Sequence, residues 1–277
     1  MLFWGEPRAG QSGAGCGMTL RIASLVPSLT ELVVELGLGD SLVARTGFCV
    51  HPAASLVGVA KVGGTKDVNL GKLQRLSPSH VLVNVDENRR ETVEAIQAWP
   101  SPPGVIVTHP LDPEDNLALV DRLIEAFGNH PGVAERGALL HAELRRELAA
   151  TRPEGRPGRR VLYLIWREPW MTVARDTYVS RMLARIGWLT WPEVNGGPVG
   201  AARYPALRGD EPWLAEIDQV LLSSEPYRFG ASHLDLAGAL CPNAGVRLVD
   251  GELLSWYGPR AVAGLRYLRA LAADDAT

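Results

Sequence analysis

The chain has 277 residues, 46% of them hydrophobic and 21% charged, which is enough apolar surface to build packed cores and excludes a disordered protein. Its 28 Lys and Arg against 31 Asp and Glu leave a formal charge of −3, so no net basic field exists to hold nucleic acid or an anionic lipid surface. Cys16, Cys49 and Cys241 are far apart and lack CxxC spacing, which excludes a disulfide framework and an all-cysteine zinc site.

Residues 1–17 break their only apolar patch at Gly5 and then run polar and glycine-rich to Gly17. They read as a disordered lead without the continuous apolar region of a secretory signal, and Met18 offers an alternative start. No later apolar run approaches the roughly 20 residues that span a bilayer. The expectation is a chain that is not membrane-embedded and is cytoplasmic as it stands, periplasmic only if a signal lies upstream. Arg21–Val26 predicts a strand and Ser28–Leu36 a helix, opened by a Ser28/Glu31 capping box and closed by Gly37 and Gly39. The alternation continues with strand Ser41–Thr46, helix Asn69–Leu76, strand His80–Val85, helix Arg89–Trp99 and strand Val105–Thr108, the pattern of parallel βα units.

From Asp112 the spacing is purely helical: Leu117, Val120, Ile124 and Phe127, then Leu140, Leu144 and Leu148, with a break at Gly128–Gly132 and a second helix from about Val133 to Thr151. The Pro-, Gly- and Arg-rich stretch Arg152–Arg160 makes a surface turn. A second alternating series follows: strands Val161–Trp166 and Met171–Ala174, helix Thr177–Ile186, strand Gln219–Ser223, helix His233–Leu240, strand Val246–Val249 and helix Ala261–Leu271. The fold class is therefore α/β, two Rossmann-like lobes with central parallel sheets joined by one long rigid helix. The expected boundaries are a lead over 1–17, an N-terminal lobe over 18–112, a helical backbone over 113–158 and a C-terminal lobe over 159–277. No fixed-period repeat, Walker A or GxGxxG motif is present.

In open α/β sheets, ligands meet the loops at the carboxyl ends of the strands. Three such loops of the second half combine aromatic and ionic side chains: Trp166, Arg167, Glu168 and Trp170; Glu225, Tyr227, Arg228 and Phe229; Asp250, Glu252, Trp256 and Tyr257. Aromatic planes with convergent charges are the usual lining of an organic-ligand site, with Trp166 and Trp170 as stacking platforms. The bland reading is that the rings plug the lobe core and the charges pair at the surface. In the first half the corresponding residues are Phe48 to Pro52, and Asp86, Glu87, Asn88 and Arg90. Glu87 and Arg90 are the better ligand candidates, since Asp86 and Asn88 equally suit a helix start.

His51 is the one candidate metal ligand, with Cys49 two residues earlier on an extended segment able to face the same way. One Cys-x-His pair falls short of the three or four ligands of a closed site, and the distant candidates are Glu87, His109, Glu168 and Glu225. His109, before Pro110, better suits a hinge. No GxSxG or HExxH motif appears, and Ser223-Ser224-Glu225 lacks the glycines of a nucleophile turn. An alternative is a cytoplasmic enzyme or cofactor-handling protein using Glu168 and Glu225 as acid–base groups, raised by neighbouring rings.

RIASLVPSLTELVVELGLGDSLVARTGFCVHP (21–52), VGGTKDVNLGKLQRLSPSHVLVN (62–84) and the long helix that follows resemble, in that order, the helical-backbone substrate-binding proteins of ABC importers, and the cobalamin-binding branch in wording. The resemblance covers about Arg21 to Leu271. It implies two α/β lobes joined by one long rigid helix, a ligand held between them, and cobalamin, haem or chelated iron as that ligand. Gly63-Gly64-Thr65-Lys66 is similar to the glycine turn that lies under ligand in the family, with Lys66 placed for a carboxylate or phosphate. An importer permease is the implied partner. The departures are Phe48-Cys49-Val50-His51-Pro52 in place of an aromatic D-Y-P-like turn, and the stretches WREPWMTVARDTY, SSEPYRF and DGELLSWYGPR, which mark a signal-less subset.

Overall fold

The computed structural model describes residues 19–153 and 158–274, and the expected lead over 1–17 lies outside them. The chain divides into two units. Unit 1 holds the residues up to His109 together with Leu119–Leu140; unit 2 holds Pro110–Ala118 and the residues from His141 onward.

Unit 1 is built on β1 (Ile22–Ser24), α1 (Pro27–Glu35), β2 (Leu42–Arg45), β3 (Ala60–Lys61), α2 (Leu70–Arg75), β4 (His80–Asn84), α3 (Arg90–Gln97) and β5 (Gly104–Thr108). The five strands form one parallel sheet in the order β3-β2-β1-β4-β5. β1 is buried along its whole length, and Ala23, Val81, Val83, Val93 and Ile96 share one core, as expected of strands covered on both faces. The Ser28/Glu31 capping box does not form. Pro27 occupies the first turn of α1 with its φ preset, Val26 is the cap residue, and Ser28 is buried. The buried hydroxyl nearby is satisfied instead by Thr30 Oγ1, 2.9 Å from Val26 O and 2.8 Å from Ser24 Oγ. Gly37 ends this helix at φ 80°, where a Cβ is disfavoured. Asn69 caps α2, its Oδ1 accepting from Lys72 N–H at 2.9 Å.

The helical segment consists of α4 (Asp115–Phe127) and α5 (Val133–Ala150), and the chain passes from one unit to the other within each. Unit 2 continues with β6 (Arg159–Leu164), α6 (Tyr178–Ala184), β7 (Trp188–Thr190), β8 (Gln219–Ser223), α7 (Leu234–Leu240), β9 (Gly245–Val249), α8 (Gly251–Ser255) and α9 (Arg260–Asp274). Its sheet is parallel in the order β7-β6-β8-β9. The expected strand Met171–Ala174 does not form. Met171 makes only isolated bridges to Trp166 and Ala206, so its segment is the returning arm of a tight hairpin. β7 and α8, three and five residues long, are too short to show a period.

Within unit 2, α5 is joined to α9 by a buried carboxylate. Glu147, only 5% exposed, lies 2.7 Å from Arg269 Nη1, 3.0 Å from Arg266 Nε and 3.1 Å from Arg146 Nη2. Burial raises its carboxyl, but hydrogen bonds from Arg269, Arg146 and Arg266 overcome this and hold it at about 2. Its stabilising contribution is thus complete above the ordinary value near 4.5 and lost as pH falls through about 2. Glu147→Gln should cost roughly 2–4 kcal/mol at neutral pH. Thermal melts of both proteins should converge between pH 4.5 and 2; a gap that persists undiminished at pH 2 would contradict the assignment.

Candidate ligand-binding site

Each sheet has one place where neighbouring strands send their chains in opposite directions. In unit 2 it lies between β6, which leads to β7, and β8, which leads to β9; in unit 1 it lies between β1 and β4. At such points the two departing loops diverge and leave a crevice at the carboxyl ends of the strands.

In unit 2 the chain leaving β6 forms a hairpin, with Ile165 N–H donating to Met171 O at 3.0 Å and Met171 N–H to Trp166 O at 3.1 Å. Leu207 N–H donates to Trp170 O at 2.8 Å and fixes the far arm. Trp166 is 42% exposed. The chain leaving β8 is tied back by Tyr227 N–H to Ile165 O at 3.3 Å. The two loops join through their rings. Trp166 meets Tyr227 edge to face at 5.6 Å, Tyr227 lies 4.7 Å from Phe229, and Phe229 stacks on Trp170 at 6.0 Å with 12° between planes. Below them, His233 closes the cluster. Gly230 N–H donates to its Nδ1 at 3.0 Å, and its Nε2 is 3.2 Å from Tyr227 Oη. Arg167 lies 5.9 Å over the Trp170 ring and 3.5 Å from Glu168.

On the other side of β8, Glu225 Oε1 accepts from Ser255 Oγ and from Trp256 Nε1–H, each at 2.7 Å. Burial raises the Glu225 carboxyl, and these two donors lower it by less. Arg260 covers the Trp256 ring at 4.8 Å and pairs with Glu252 at 2.9 Å. Tyr257 packs edge to face on Tyr178 at 6.2 Å.

In unit 1, Gly47 N–H donates to Gly63 O at 2.7 Å and Gly64 N–H to Asp67 O at 3.1 Å, making a tight turn after β3. Gly63 has φ 104°, and a Cβ there would sit 2.3 Å from Asp67 O, so only glycine fits. Phe48, 63% exposed, lies close above Gly64, where an added Cβ would stand 3.3 Å from its ring. Lys66 Nζ donates to Asp86 O at 2.6 Å, and burial lowers its ammonium against the pull of Glu87 and Asp86. His109 Nε2 is 3.4 Å from Asp86 Oδ2. Asn88 ties the ends of β1 and β4 to the glycine turn after β3. Its Nδ2 donates to Leu25 O at 3.2 Å and Thr65 O at 2.9 Å, and its Oδ1 accepts from Asn84 N–H at 2.9 Å.

No family model matches the chain. The vitamin B12-binding protein of Pectobacterium atrosepticum is 24% identical over 192 residues, 63% of this chain and 66% of that protein, so the chain spans about two thirds of the relative's length. Among solved structures, the periplasmic vitamin B12 binding protein BtuF of Vibrio cholerae superposes with a TM-score of 0.73 at 17% identity, covering 91% of this chain and 96% of that one. The periplasmic heme-binding protein RhuT from Roseiflexus sp. RS-1 gives 0.73 at 21%, covering 94% and 100%. The chain has the fold of the helical-backbone substrate-binding proteins.

On this binding-protein fold the expected residues fall into two sets. Trp166, Arg167, Glu168, Trp170 and Tyr227 gather at the β6/β8 divergence, and Phe48, Lys66, Glu87 and the half-exposed His51 lie on the strand-end loops of unit 1. Phe229, Trp256 and Tyr257, expected to line a ligand site, are buried: Phe229 packs in the core with Leu164, Leu222 and Ala237 and stacks on Trp170. Cys49 is corrected as well. It is fully buried with Sγ 3.1 Å from Thr46 Oγ1 and 3.8 Å from Ser24 O, and burial raises its thiol, so it offers no soft ligand beside His51. Among the described residues no group of three or more His, Cys, Asp or Glu is placed to hold a metal ion. Arg90 turns along α3 to pair with Glu94 at 2.8 Å instead of serving the loops. Of the two expected acid–base carboxylates, Glu168 is 81% exposed beside Arg167, and Glu225 has one oxygen taken up by two donors. No described helix is long and apolar enough to cross a membrane.

Sequence reasoning missed Asn88 as a structural tie, because an Asx residue ahead of a helix also reads as a cap. Asn88→Asp would set a carboxylate against the carbonyls of Leu25 and Thr65. It should lower stability by about 2–3 kcal/mol and raise amide exchange over 63–66, measured by urea melts and hydrogen exchange. Unchanged exchange in that turn would contradict the tie.

Proposed function

We propose that the protein is a non-catalytic binding protein for a bulky, largely planar organic ligand of the metal-chelate kind: a corrinoid, a haem or a chelated iron. One observation carries this reading. An unbroken series of rings, Trp166, Tyr227, Phe229 and Trp170, lies at the divergence of β6 and β8 with its outer member open to solvent. Rings braced against one another edge to face, tilted and stacked make a firm apolar surface for a flat partner, and an aromatic contact with the ligand adds about 0.5–1.5 kcal/mol beyond area burial. Arg167 and Glu168 supply a polar rim beside the rings. On unit 1, Phe48 stands above the glycine turn, with Lys66, Glu87 and His51 on the neighbouring loops; the His51 imidazole could donate to a metal that the cargo already chelates.

The similar proteins bind vitamin B12 and heme, which supports the same ligand class here. The two solved structures are also described as periplasmic, which favours export over the cytoplasmic expectation, and other similar structures are named as parts of ABC transport systems, which supports an importer permease as partner. Cell fractionation decides the compartment.

Hydroxocobalamin, hemin and ferrichrome titrated into the purified chain provide the test, with tryptophan fluorescence and melting temperature as readouts. One of the three should quench fluorescence and, at a hundredfold excess over its Kd, stabilise the fold by about 2.7 kcal/mol. Trp166→Ala should weaken that ligand about tenfold or more. No response to any of the three overturns the proposal.

A further inference from the structure

The loop that carries Tyr227 and Phe229 has few anchors. Its backbone is held by Tyr227 N–H to Ile165 O and by Phe229 N–H to Ser223 O at 3.4 Å. Ser223 Oγ donates to Glu225 O at 2.6 Å at its root. Two side chains of this loop reach α8: Ser224, and the Glu225 carboxylate, which accepts from Ser255 at the end of that helix and from Trp256 just after it. The approach is close. A Cβ on Gly251, the first residue of α8, would fall 2.3 Å from Ser223 Oγ and 2.8 Å from Glu225 Cγ, so this helix start is shaped to admit the Glu225 side chain. Gly251 N–H also donates to Ser224 Oγ at 2.8 Å. Ser255 Oγ lies 2.7 Å from Glu225 and 2.8 Å from Gly251 O, so its single proton serves either acceptor and leaves Trp256 Nε1–H as the donor committed to Glu225.

We infer that Glu225 is a positioning residue: through Trp256 and Ser255 its carboxylate holds the Tyr227–Phe229 loop where ligand stacks. This rests on the binding function proposed above. The acid does not touch ligand; it fixes the span from β8 to the rings, two residues away from Tyr227 along the chain. Trp256 then acts through its N–H and not as a stacking surface, in keeping with its burial.

The test is a cycle of Glu225→Ala and Trp256→Phe in the full chain, the latter keeping a ring and deleting the N–H. Hydrogen exchange at the Tyr227 and Phe229 amides is read without ligand, and Kd for hemin and hydroxocobalamin is read in parallel. Each single variant should speed exchange at both amides and raise Kd about tenfold, as loss of one buried charged hydrogen bond implies. The double variant should be no worse than either. Glu225→Gln, whose Oε1 accepts both bonds, should recover most of the loss. Glu147→Gln should lower stability and leave Kd unchanged, which separates positioning from general destabilisation. Unchanged exchange in Glu225→Ala, or effects that add in the double variant, overturns the inference. If neither compound binds the unaltered protein, the proposed function fails while exchange still decides the positioning role.

Discussion

The candidate site follows from the way parallel strands are connected. All strands of a parallel sheet end on the same edge, and where two neighbours lead away to opposite sides their exit loops must part. Between β6 and β8 this forces two loops of six or so residues to leave the sheet side by side with no strand between them. Their backbone groups find partners in each other, as Tyr227 N–H on Ile165 O illustrates, and their side chains fill the gap with rings. The same constraint at β1 and β4 is met differently: a single amide, Asn88, bonds the ends of both strands and the turn after β3.

The two solutions differ in what they leave exposed. Asn88 is buried and bridges its junction with hydrogen bonds, while Phe48 beside the glycine turn stays exposed. The aromatic solution seals the inner half, with Phe229 and Trp170 stacked over the core, and leaves Trp166 partly in water. A buried polar ladder supports it: Tyr163 Oη to Ser223 Oγ at 2.9 Å, Ser223 to the Glu225 backbone, and Glu225 onward to α8. Satisfied buried networks of this kind fix one geometry because any partial break leaves an unpaired polar group in a low-dielectric interior. Rigid rings beside an open one lower the ordering cost of binding.

Much of this was legible in the sequence. The alternation of strand and helix periods located seven of the strands and the long helical segment, since strands covered on both faces read as short apolar runs such as His80–Val85 and Gln219–Ser223. The strand-end rule then pointed to Trp166, Trp170 and Tyr227 before any contact was known. Sequence alone could not tell which rings face outward. Trp166 follows β6 by two residues and Trp256 follows β9 across the short helix α8, and only the fold turns one to solvent and the other onto Glu225. Met171–Ala174 has the composition of a strand but lies in a hairpin arm, because its partners are Trp166 and Ala206 and not a sheet neighbour. Cys49 and His51 alternate in sequence as a ligand pair would, yet the core below β2 claims the thiol.

The central claim is that the rings at the β6/β8 divergence receive a flat, metal-chelating organic molecule. Native mass spectrometry of the protein purified from its own host, joined to an absorbance spectrum, tests this most directly. The account predicts a non-covalent adduct with visible absorption that is lost when Trp166 and Tyr227 are both changed to Ala. A preparation that carries a coloured adduct equally well in that variant, or one that stays colourless and at the mass of the bare chain after incubation with host extract, would contradict it.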